Sequence, residues 1–98
     1  MTVAPLPDAD LKTWLGTHPG WALEGPMLVR TFEATTFLAA IDFVSRVGKA
    51  AEAADHHPDI DVRWRKVTLR WVTHDAGNRV SALDVKLAAE CDALFASR

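Results

Sequence analysis

Three of the four histidines, His56, His57 and His74, stand in two short polar groups with carboxylates close by. Glu52, Asp55 and Asp59 surround the first group, and Asp75 and Asp84 lie near the second. An unperturbed imidazole titrates near pH ~6.5, so it both gives and takes a proton at neutral pH, and a neighbouring carboxylate can fix which ring nitrogen carries it. Such a group suits proton transfer on a small molecule. A plainer reading makes them solvated loop residues, because helix C-termini attract histidine through the dipole. A third reading assembles zinc from His56, His57, His74 and a carboxylate. Against it, adjacent residues of an extended chain point apart, and the spacing fits no recognised zinc motif.

Hydrophobic periodicity supplies the elements that must position these groups. Asp8 reads as the N-cap of a short helix carrying Leu11, Trp14 and Leu15 and stopping near Gly16. Residues 21–24 and 27–33 flank Gly25-Pro26 as a hairpin, although Leu28, Val29 and Phe32 do not alternate cleanly. Thr35 or Thr36 caps a long helix with Phe37, Ala40, Ile41, Val44 and Val47 at helical spacing, ended by about His57 because Pro58 follows. On a helix reaching that far, Glu52 shares a face with His56 four positions on, and its carboxylate would orient the ring. Ile60–Trp64 alternates as a third strand, Arg65-Lys66 turns, and Val67–Thr73 forms a fourth that delivers the chain to His74. Ser81 and Asp84 have capping-box spacing before a last helix bearing Leu83, Leu87, Cys91 and Leu94. The order α-β-β-α-β-β-α predicts an α+β fold, a four-stranded antiparallel sheet with three helices packed on one face.

At 98 residues and 49% apolar the chain fits one domain spanning residues 1–98, small enough that self-association is a natural supplement to its core. The net charge of −2 offers no basic field for nucleic acid or an anionic membrane. No apolar run approaches the roughly 20 residues of a bilayer span. Cys91 is the only cysteine, and the first ten residues lack a signal peptide's charge and apolar run, so the expected setting is the reducing cytoplasm. Among the other residues, Trp71 and Cys91 read as core, His18 as an exposed turn residue, and Trp21 and Trp64 as core or as stacking surfaces.

Taken as one string, Glu52-x-x-x-His56-His57-Pro58, five residues to Trp64, nine to His74 and nine to Asp84 resembles the signature of the pterin-4a-carbinolamine dehydratases. EAADHHPDIDVRW, VTLRWVTHDAG and ALDVKLA carry it, and Gly20-Trp21-x-Leu23 with the Phe32 strand resembles the family's first hairpin. Asn78 departs from the pattern where a second glycine often follows Gly77, and so does Arg65, where Asn is common. The resemblance implies dehydration of a 4a-hydroxytetrahydropterin to the quinonoid dihydropterin. His56 and His74 would form the acid/base pair and His57 would orient the substrate. Pro58 and the stretch Thr73, His74, Asp75 and Ala76 would line the pocket, with Glu52, Trp64 and Asp84 close by. No metal, nicotinamide or flavin is implied. The implied partners are a pterin and further copies of the chain, as a homo-dimer or homo-tetramer. It also implies an alternative of another class, since some relatives serve as dimerisation or assembly cofactors.

Overall fold

Thr36 starts the long helix by accepting the Ala39 N–H at 3.0 Å, and from there Phe37–Ala54 winds across one face of the sheet. The structure, a computed structural model, describes residues 3–97. Its elements are α1 (Asp8–Thr17), β1 (Ala22–Glu24), β2 (Met27–Glu33), α2 (Phe37–Ala54), β3 (Asp59–Arg63), β4 (Lys66–Trp71), a 3-10 turn (His74–Ala76) and α3 (Ala82–Ala96). All neighbouring strands pair antiparallel in the order β1-β2-β4-β3. Leu28, Phe32, Val67, Leu69 and Trp71 form the inner sheet face, against Leu11 of α1, Ala40, Phe43, Val47 and Ala51 of α2, and Leu87, Ala88 and Cys91 of α3. The opposite face carries Thr31, Asp61, Arg63, Lys66, Thr68 and Arg70 and stays uncovered. The α+β class and its element order are those the sequence predicts.

Arg30 explains the unclear alternation in β2. It pairs with Leu69, so it points inward between Leu28 and Phe32. A charge is tolerated there because Asp92 of α3 reaches it at 2.7 Å and also accepts the Trp21 indole N–H at 3.0 Å.

Several local expectations are corrected. Asp8 is the first residue of α1 rather than its cap; Pro7 holds the cap position, and the Asp8 carboxylate pairs with Arg79 at 3.0 Å. In α2 the buried line is Ala40, Phe43, Val47 and Ala51, leaving Phe37, Leu38 and Ile41 exposed. Small alanines let this line approach the sheet closely, and Phe43 meets Phe32 at a tilt, 4.8 Å between centroids, and Phe95 edge to face at 5.1 Å. His18 is half-buried, stacked on Trp14 at 3.9 Å. Leu83 is exposed at the start of α3.

Candidate active site

His56 owes its position to the way α2 ends. Asp55 takes a left-handed φ of 50° and donates its N–H to Glu52, while the His56 N–H reaches back to Ala51. This is the hydrogen-bond pattern of a Schellman motif, with an aspartate where glycine is usual. Thrown back over the core in this way, the His56 ring lies 5.8 Å from Trp71 with 21° between planes. Its Nε2 stands 2.6 Å from Oδ1 of Asp84, a side chain with no exposed surface. The other Asp84 oxygen accepts the Ser81 N–H at 2.8 Å and the Thr73 hydroxyl at 2.7 Å. With its single proton committed to Asp84, Thr73 receives the Ser81 hydroxyl at 2.7 Å, and Ser81 Oγ accepts the Leu83 N–H. The capping box of α3 and the support of His56 are therefore one network. A carboxylate only accepts hydrogen bonds, so His56 carries hydrogen on Nε2 and Nδ1 is left for exchange.

The expected bond between Glu52 and His56 does not form. Glu52 instead meets His57 Nε2 at 2.5 Å, in a pair exposed on both sides. The four-residue spacing fails because α2 stops at Ala54, and the left-handed Asp55 turns the next residue but one back over Glu52. His74, in the 3-10 turn, directs Nδ1 to Oδ1 of Asn78 at 2.7 Å.

All three histidines line one open cavity of about 380 Å³, with Asp55, Thr73, Asp75, Val72, Leu83 and Val3. That volume falls in the range of small-molecule sites, about 300–1,000 Å³. Five other expected site residues do not line it, Glu52 among them. Asp84 is fully buried, so it acts through His56 rather than on a ligand. Ala76 is buried beneath the turn. Pro58 sets the chain direction after His57. Trp64 lies outside the strand predicted for it, in the two-residue turn after β3, at a left-handed φ of 54° and 70% exposed, at the far end of the hairpin from His57. Arg65 covers its ring at 4.4 Å. Sequence reasoning missed Asn78 and Leu83 as parts of the site; Asn78 had the signal of standing four positions after His74. Among the described residues no group of three or more His, Cys, Asp or Glu side chains converges as a metal site, and no helix is long and apolar enough to cross a membrane. Burial with the nearby Asp92 and Glu90 charges pushes the Cys91 thiol up to about 12, far from the cavity chemistry.

Comparison with known proteins places these features. The model of the family described as pterin 4 alpha carbinolamine dehydratase matches residues 4–94. A Roseiflexus castenholzii protein, a pterin-4-alpha-carbinolamine dehydratase by name, is 48% identical over 92 residues, covering 94% of this chain and 98% of the relative. One from Mycobacterium tuberculosis with the same name is 42% identical over 93 residues, 95% and 98% of the two chains. The crystal structure of a transcriptional coactivator/pterin dehydratase from Brucella melitensis superposes with a TM-score of 0.86 at 28% identity, covering 93% of this chain and 98% of that one. A pterin dehydratase-like RuBisCO assembly factor of the alpha-carboxysome shares the fold at a TM-score of 0.59 and 20% identity, over 76% and 86% of the chains.

Proposed function

The chain belongs to the pterin-4a-carbinolamine dehydratase family, and from that membership and its cavity we propose that it converts a 4a-hydroxytetrahydropterin to quinonoid dihydropterin and water. The observation that carries this reading is that His56 and His74 open on one cavity, each ring held by its own partner, Asp84 and Asn78. Dehydration needs two proton transfers. One histidine gives a proton to the 4a-hydroxyl as the C4a–O bond breaks and water leaves; the other takes the N5 proton as its electron pair forms the C4a=N5 bond. Atoms and charge balance with no redox step. His57, on the rim and braced by Glu52, serves as an orienting donor. Asp55 and Asp75 offer acceptors to the N–H groups of a pterin's amino-pyrimidine edge.

The test is a dehydratase assay on freshly generated 4a-hydroxytetrahydropterin, with His56→Ala and His74→Ala. Each variant should lose turnover on the order of 10²-fold, the usual worth of general acid/base assistance. A double variant as active as the parent removes both residues from the mechanism. An inactive parent moves the chain to the assembly-cofactor alternative.

The same reading includes a single domain in a homo-oligomer. Phe37, Leu38 and Ile41 on α2 and Ile60, Val62 and Trp64 on the β3 hairpin are exposed, and apolar exposure of this kind marks surfaces that other chains cover.

A further inference from the structure

We infer that Asn78 is a positioning residue that holds His74 with its hydrogen on Nδ1, so that His74 takes the N5 proton through the lone pair of Nε2. This rests on the dehydratase reading. An amide carbonyl oxygen only accepts hydrogen bonds, and Asn78 Oδ1 stands 2.7 Å from His74 Nδ1. That leaves Nε2 as the basic nitrogen. The turn is built to deliver this contact: the Gly77 N–H bonds the His74 carbonyl at 3.1 Å, and Gly77 and Asn78 follow one another at left-handed φ values of 72° and 58°. Glycine is the least strained residue at such a φ. Asparagine tolerates it, and the side chain it adds is the one that meets His74. The two rings then present opposite nitrogens, since Asp84 places the His56 hydrogen on Nε2. With His74 fixed as the acceptor of the N5 proton, His56 is left to protonate the departing hydroxyl.

Asn78→Gly separates the side chain from the turn, because glycine keeps the left-handed backbone. In ¹⁵N-labelled protein at about pH 8.5, above the ordinary imidazole range, long-range ¹H–¹⁵N correlation of the His74 ring should show the Nδ1–H form in the parent. Asn78→Gly should shift it toward the Nε2–H form that a free histidine side chain prefers, and lower kcat about 3- to 10-fold, the worth of one ordinary hydrogen bond, with KM nearly unchanged. Asn78→Asp, which keeps an acceptor oxygen, should retain the Nδ1–H signature. An Nε2–H ring in the parent, or an Asn78→Gly protein with unaltered tautomer and kcat, overturns the inference. The ring signature is read without turnover, so a parent that lacks dehydratase activity but shows an Asn78-dependent Nδ1–H form overturns the reaction and leaves the hold of Asn78 on His74 standing.

Discussion

Replacing Asp84 separates the fold-bearing half of its network from the chemical half. Asp84→Ala removes a fully buried acceptor from three polar groups: the Ser81 N–H, the Thr73 hydroxyl and the His56 ring N–H. At about 1–3 kcal/mol for each buried group left unsatisfied, three groups lose on the order of 3–9 kcal/mol. That is a large part of the roughly 5–15 kcal/mol that holds a small domain folded. Asp84→Asn is gentler, because the amide oxygen can take over the Ser81 and Thr73 bonds. Its cost is that charge-assisted bonds become neutral ones, partly offset by no longer burying a charge, so about 0–2 kcal/mol is expected. The amide NH₂ must then face His56 Nε2, where two donors repel. The ring answers by keeping its single hydrogen on Nδ1 and turning a bare Nε2 to the amide, so the doubly protonated ring that gives the departing hydroxyl its proton while Nε2–H stays bonded to residue 84 is lost. Thermal melts should therefore rank parent, Asn and Ala in falling order. Turnover of the well-folded Asp84→Asn protein should fall by at least about 10²-fold. Parent-like turnover in Asp84→Asn would refute the argument that Asp84 acts by accepting the Nε2–H of the proton-giving His56 ring.

Other changes test separate parts of the molecule. Glu52→Gln should leave stability within about 1 kcal/mol by chemical denaturation, as an exposed pair allows, and should alter KM through His57 more than kcat. Gly20→Ala places a Cβ 2.7 Å from the Arg30 guanidinium carbon, so a crystal structure should show Arg30 withdrawn from Asp92, at a cost of about 1.5–3 kcal/mol for a half-buried bond between charged groups. Light scattering should give the parent a multiple of its 10.8 kDa chain mass and Leu38→Glu a smaller particle; a 10.8 kDa parent at high micromolar concentration refutes self-association. Cys91 ionises near 9 when unfolded and near 12 in the fold, so only the unfolded chain loses this proton between those values. Stability should fall as pH rises through that window, by up to about 1.4 kcal/mol per pH unit, and Cys91→Ala should lack that slope.

Elements with a local cause were legible in the sequence. A cap at Thr35 or Thr36, which the structure resolves to Thr36, the cap at Ser81, Pro58 as a stop, and the period-two runs of β3 and β4 follow from backbone chemistry within a few residues. Which face of α2 turns inward was not, because Phe37, Ile41 and the line of Ala40, Phe43, Val47 and Ala51 both repeat at helical spacing. Only the distance to the sheet selects the line with the smaller residues. Arg30 was opaque for a similar reason: its inward register depends on Asp92, sixty-two positions away.

The site shows where spacing arguments on a helix stop being valid. Pairing Glu52 with His56 assumes helical geometry through position 56, yet one left-handed residue, Asp55, moves every later side chain to a different face. Asp84 raises a different issue, because cap and site partner look like rival roles when each is assigned to the residue as a whole. A carboxylate has two oxygens with room for about four hydrogen bonds. At Asp84 one oxygen closes the capping box with Ser81 and takes Thr73, and the other holds His56. The helix start that the sequence displays is thus also the anchor that fixes the histidine. A change that loosens the first turn of α3 at a residue other than Leu83, which lines the cavity, should reach His56 through Asp84.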